Sequence, residues 1–174
     1  MKQPLQAALD GLYLCCIWIA GLAILGMSLI IPVGVFARYV LGFGAQWPEP
    51  IAILLMVVFT FIGAAAAYRA GAHIAVAMMT DRLPALGQKL CRWAVDLLMM
   101  AISLFMIFYG GKLCLETMGQ TLADLTWLPV GVSYLPVPVG GLITLIFVLE
   151  QLAYGTQYQR AVVCFDHQVE DLGV

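Results

Sequence analysis

The stretch PIAILLMVVFTFIGAAAAY, residues 50–68, lies between Glu49 and Arg69 and contains no charged side chain. A helix rises about 1.5 Å per residue, so this stretch reaches roughly 28 Å, close to the ~30 Å hydrocarbon core of a bilayer. Such a segment has no polar face to offer water, and it reads as a transmembrane helix. The whole chain agrees: 63% of its 174 residues are hydrophobic and only 10% are charged, against about a quarter charged in an average soluble domain. Lipid is the solvent that this composition requires.

Working outward from that span, three more stretches approach the same length. The first is residues 12–35, with Pro32 near its end, where the missing N–H should kink the last turn. Its uncharged run is far longer than the ~7–15 residues of a signal-peptide core and has no small-residue cleavage site after it, so a retained span is expected. The third is residues 93–113, with Asp96 one turn inside and Lys112 near its end. Lys112 can snorkel to the interface, whereas Asp96 needs a partner, and Arg92 four residues earlier on the same helical face is the local candidate. The fourth is residues 134–154, opening among Pro129, Pro136 and Pro138 and carrying Glu150 near its far end. The fold class is therefore an all-α integral membrane protein: one membrane domain over residues 1–174, with four transmembrane helices. Residues 71–92, where apolar Ile74, Val76, Met78, Met79, Leu83, Leu86 and Leu90 mix with polar side chains, read as an interfacial amphipathic segment between the second and third helices.

Positive charge sets the orientation. The N-terminal segment, the second loop and the C-terminal segment hold Lys2, Arg69, Arg82, Lys89, Arg92 and Arg160, and the other two loops hold only Arg38 and Lys112. Both termini and the segment at 71–92 are expected in the cytoplasm. Tyr and Trp gather near the span ends, among them Tyr39, Trp47, Tyr68 and Trp93, as interface anchors in contact with membrane lipid.

Several functions are poorly served by these residues. The net charge of −2 includes no basic run that could neutralise phosphates, which excludes nucleic acid as a partner. The five cysteines include no CxxC pair, so neither a zinc site nor a thioredoxin motif is indicated. His73 and His167 are the only histidines, too few for a carrier that holds several haems with paired intramembrane ligands. No carboxylate lies at mid-membrane, where proton-coupled carriers keep one, and Asp96 and Glu150 sit about a turn from the same membrane side. No bound cofactor, metal site or enzymatic activity is expected. Small residues such as Gly63 with Ala67, Gly110-Gly111 and Gly140-Gly141 offer close helix contacts, within the chain or with another membrane protein.

An ordered set of short elements adds a resemblance. Arg38-Tyr39, Trp47 and Glu49, the run Phe59-Thr60-Phe61-Ile62-Gly63-Ala64-Ala65, Arg69, His73-Ile74 with Val76, Leu83-Pro84, and then Leu128-Pro129, Tyr134, Pro138, Gly140 and Gly141 follow one another as in a known family. The chain resembles the small membrane subunit (DctQ type) of tripartite ATP-independent periplasmic (TRAP) transporters. Pro50 and Ala77 depart from the pattern, standing where the family commonly has acids. The resemblance implies a non-catalytic scaffold in the bacterial inner membrane that binds a large multi-span permease subunit. That partner would carry the substrate and sodium sites, and a periplasmic substrate-binding protein would deliver a small organic acid for symport. Arg38, Tyr39, Trp47, Glu49, Arg69 and His73 are the residues through which partner or structural contacts are expected. The alternative from a different class is a membrane anchor subunit of a redox or haem-containing complex.

Overall fold

A computed structural model describes residues 2–42, 46–71, 85–121 and 127–155; of residues 2–5 and 85 it describes the backbone alone. Its elements are α1 (Lys2–Tyr39), α2 (Pro48–Arg69), α3 (Ala85–Thr117), the short α4 (Val130–Tyr134) and α5 (Pro136–Tyr154). No strand is present among the described residues beyond an isolated bridge between Thr121 and Pro129. Four helical segments are long and apolar enough to cross a membrane: Gln6–Tyr39, Pro48–Arg69, Leu86–Thr117 and Val130–Tyr154.

Proline marks where helices begin. Pro48 and Pro50 occupy the first turn of α2, and Pro136 opens α5, positions where a missing N–H leaves no intrahelical bond unmade. Leu135 alone separates α4 from α5, and its αR backbone (φ −55°, ψ −35°) carries the chain straight on. The two therefore form one crossing. Pro32, in contrast, lies inside α1, which continues as helix for seven more residues to Tyr39. Beyond α1 the turn uses Gly42, and beyond α5 the chain leaves through Gly155, both at positive φ (68° and 81°), where a side chain would be strained.

The lengths differ in a way that the hydrophobic runs alone do not show. At about 1.5 Å per residue α2 is ~33 Å long, close to a bilayer core, while α1 and α3 approach 50 Å or more. Residues 85–92, read from the sequence as part of the interfacial segment, are the first turns of α3. The rest of that segment, residues 72–84, lies outside the described residues.

Packing joins α1 to α2, α2 to α5 and α5 to α3. The order across the molecule is α1–α2–α5–α3, an open row in which α2 and α5 are inside and α1 and α3 form the edges. Water would force such apolar helices into a closed bundle. Lipid exerts no such force, and helices associate where small residues let them approach. The Gly140-Gly141 pair does this on two sides at once. A Cβ on Gly140 would lie 2.8 Å from Phe61 Cβ of α2, and one on Gly141 would lie 2.9 Å from Met106 Cβ of α3. Consecutive glycines thus let the inner helix α5 touch both neighbours.

Several hydroxyls in the spans are satisfied locally. The hydroxyls of Thr60, Ser103, Thr117 and Thr144 donate to carbonyls three or four residues earlier, at Met56, Met100, Leu113 and Gly140. The buried apolar cluster is Tyr13, Cys16, Ile62, Ala65, Ala66, Tyr68, Phe147 and Val148, which joins α1, α2 and α5.

A glycine comparison tests the packing. Gly140→Ala should lower the stability of the purified protein by about 1–3 kcal/mol, the usual cost of overpacking. Gly111→Ala, where a Cβ would meet nothing within 4 Å, should be neutral in the same thermal-unfolding assay. Equal effects at the two positions would refute the close approach of α5 to α2.

Candidate functional site

The strongest polar constellation lies at one end of the row. Arg69, the last residue of α2, is 3% exposed. Its Nε and Nη2 donate to Oε2 and Oε1 of Glu150, both at 2.7 Å, a two-pronged pairing that suits the planar guanidinium. Nη2 also donates to Oδ1 of Asp10 at 2.7 Å. The rings of Tyr13 and Phe147 lie 5.2 and 5.3 Å from the guanidinium carbon, within cation–π range. Nη1 is buried and has no hydrogen-bond partner among the described residues.

The residues next in sequence reach the other way. Tyr68 donates its hydroxyl to Oδ1 of Asp96 at 3.2 Å, and Gln151 donates its amide N–H to the same oxygen at 3.0 Å. Successive helical residues point about 100° apart, since a turn takes 3.6 residues. Tyr68-Arg69 on α2 and Glu150-Gln151 on α5 therefore each reach two ways: Arg69 meets Asp10 of α1 and Glu150 of α5, while Tyr68 and Gln151 both meet Asp96 of α3. All four crossings are tied at this end.

The magnitudes separate this cluster from the charges at the opposite end. The Arg69 and Glu150 side chains are each 1% exposed, whereas Arg38 and Glu49, paired at 3.9 Å, are 52% and 73% exposed. An exposed pair contributes about 0–1 kcal/mol, and removing one partner of a buried pair costs about 3–5 kcal/mol. Lys112 with Glu116 at 3.7 Å, also exposed, belongs with the weak pairs.

The residues singled out from the sequence thus fall at two ends. Arg38, Tyr39, Trp47 and Glu49 stand at the junction of α1 and α2, with Tyr39 80% exposed. Arg69 stands at the other end, and His73 lies outside the described residues. Asp96 pairs with Tyr68 and Gln151 and not with Arg92, which is exposed. Asp10, Phe147 and Gln151 carry no signal of their own in the sequence, and Tyr13 reads there only as an aromatic anchor near a span end. The available signal was positional: Asp10 opens the first crossing while Arg69 and Glu150 close the second and last, which places all three on one membrane side.

No three His, Cys, Asp or Glu side chains are grouped to hold a metal among the described residues. The charged pairs lie toward the helix ends, and the hydroxyls of Thr60, Ser103 and Thr144 between them are bonded to their own helices. This is a multi-pass membrane protein whose polar groups hold helices together. The family model for the DctQ component of tripartite ATP-independent periplasmic transporters matches residues 27–157, and the chain belongs to that family, a transporter component. It is similar to a Haemophilus influenzae protein assigned as a TRAP transporter small permease protein, 26% identical over 142 residues, which cover 82% of this chain and 85% of the relative. It is also similar to the ectoine TRAP transporter small permease protein TeaB of Halomonas elongata, 28% identical over 128 residues, covering 72% of this chain and 66% of TeaB.

The clamp makes a sharp prediction. Arg69→Ala leaves Glu150 and Asp10 without their cation and should cost about 3–5 kcal/mol. Replacing Arg69 and Glu150 together with leucine should recover part of that loss, because the fully buried Glu150 charge is then gone and only Asp10, whose side chain is 14% exposed, still lacks the guanidinium. Thermal unfolding of the two variants in one detergent distinguishes this from simple additivity.

Proposed function

We propose that this chain is the stationary, non-catalytic subunit of a sodium-coupled TRAP-type uptake system in the bacterial inner membrane. It binds the large multi-span permease, which holds the substrate and sodium sites, while a periplasmic binding protein delivers a small organic acid. The chain itself binds no cofactor. The single observation that supports this reading is the open row: four crossings tied at one end, with large apolar side chains uncovered on its edge helices, such as Trp18 and Leu29 of α1 and Phe105 and Phe108 of α3. A carrier that acted alone would need polar groups converging near the bilayer midplane, where transporter sites sit. A row of helices instead offers a flat wall to a larger membrane protein.

Two measurements test the proposal. Co-expressed with a large multi-span permease subunit of a TRAP system from the same organism, the chain should co-purify, and sodium-driven uptake in vesicles should require both. Uptake by the chain alone, or by the permease without it, would overturn the assignment. Both termini are placed in the cytoplasm, on the excess of Lys and Arg in the segments on that side. A cysteine introduced at Gln88 should accordingly be protected from an impermeant thiol reagent applied to the periplasmic side.

A further inference from the structure

Between α1 and α2, at the end opposite the Arg69 clamp, runs a groove of about 400 Å³. Its walls are Ile31 and Val35 from α1 and Ile53 and Met56 from α2, each about half exposed, so the groove opens toward the membrane. Met27 marks its deep end, and Arg38 with Glu49 stand at its mouth. The helices touch where Gly34 meets Pro48: a Cβ on Gly34 would lie 2.7 Å from Pro48 Cβ. That contact closes the back.

Dimensions decide what fits. From Met27 to Arg38 the rise is about 16 Å at ~1.5 Å per residue, roughly half of a ~30 Å hydrocarbon core. The groove therefore spans one leaflet, from the interface to mid-membrane. A partner helix, ~10 Å wide, is too broad to enter such a groove and would reach into it only with side chains. A single hydrocarbon chain is thin enough.

The mouth adds chemistry to the shape. Arg38 and Glu49 are 3.9 Å apart and more than half exposed, so neither is committed to the other. A guanidinium pairs well with a phosphate, and a carboxylate with a donor ammonium. Cation and anion side by side match a headgroup that carries both charges. A purely anionic headgroup would meet repulsion from Glu49, and a quaternary ammonium would have no N–H to donate.

We propose that this groove is a phospholipid site that takes one acyl chain between α1 and α2 and a zwitterionic headgroup with a primary ammonium at its mouth. The phosphate rests on Arg38 and the ammonium on Glu49. The lipid would then fill the seam between an edge helix and an inner one, where the protein has no side chains of its own.

The test is native mass spectrometry of the full chain, titrated in mild detergent with phosphatidylethanolamine, phosphatidylglycerol or phosphatidylcholine. The wild type should retain phosphatidylethanolamine over the other two by about tenfold, the ratio that ~1.4 kcal/mol sets. Arg38→Gln should lose that retention, Glu49→Gln should gain phosphatidylglycerol at the expense of selectivity, and Ile53→Trp should block the groove to all three. Because all three side chains are exposed, these variants should unfold at the wild-type temperature, and that is measured alongside. Equal retention of the three lipids by the wild type, or unchanged retention in Arg38→Gln, would overturn the proposal. A photoreactive residue at position 31 or 53 that cross-links to protein instead of lipid in native membranes would overturn it too.

Discussion

The Arg69 guanidinium is the point on which the arrangement of helices depends. Most contacts between the crossings are between apolar surfaces, and lipid tails satisfy such surfaces as well as another helix does. A buried charge is different. Taking Arg69 out of water costs far more than any one apolar contact returns, unless carboxylates meet it in good geometry. Glu150 does so with two bonds and Asp10 with a third. Separation of α1, α2 or α5 at this end would expose an uncompensated charge to a low-dielectric medium, so the three helices hold their relative positions there.

The second half of the same end works by hydrogen bonding to one carboxylate. Asp96 Oδ1 accepts from both Tyr68 and Gln151, so α3, the edge helix farthest from α1, is held through the two inner helices. An open row needs this more than a closed bundle does. In a ring each helix has two neighbours, whereas here α1 packs along α2 and α3 along α5 and α4. A polar tie at each edge supplies the orientation that a second neighbour would otherwise give.

Much of the architecture was legible because lipid imposes a single strong rule, a long run without charge. The stretch 50–68 became α2 with two residues added at its start and one at its end. The rule is silent about helix outside the lipid, which is why 93–113 grew to Ala85–Thr117: Lys89 and Arg92 end a hydrophobic run without ending a helix. The clamp was harder to read. Arg69 looks like an ordinary charge flanking a span, and its partners lie 59 and 81 residues away, beyond any local pattern. The local rule also pointed Asp96 toward Arg92 at i−4, where exposure leaves the arginine free to face water or headgroups. Tertiary partners already ordered by packing, Tyr68 and Gln151, take its place.

The two ends of the row are consequently unlike in physical character. At one, a cation and three carboxylates sit among Tyr13, Tyr68 and Phe147, mostly buried and closely bonded. At the other, the α1–α2 junction has a loose pair at 3.9 Å and a groove where side chains do not meet. A wall held firmly at both ends would leave its neighbours only one shape to fit. With buried charges tying one end and only close contacts such as Gly34–Pro48 and the Cys114–Gly131 hydrogen bond at the other, it keeps the order of its helices while the outer part of the α1–α2 seam stays open to whatever the membrane supplies.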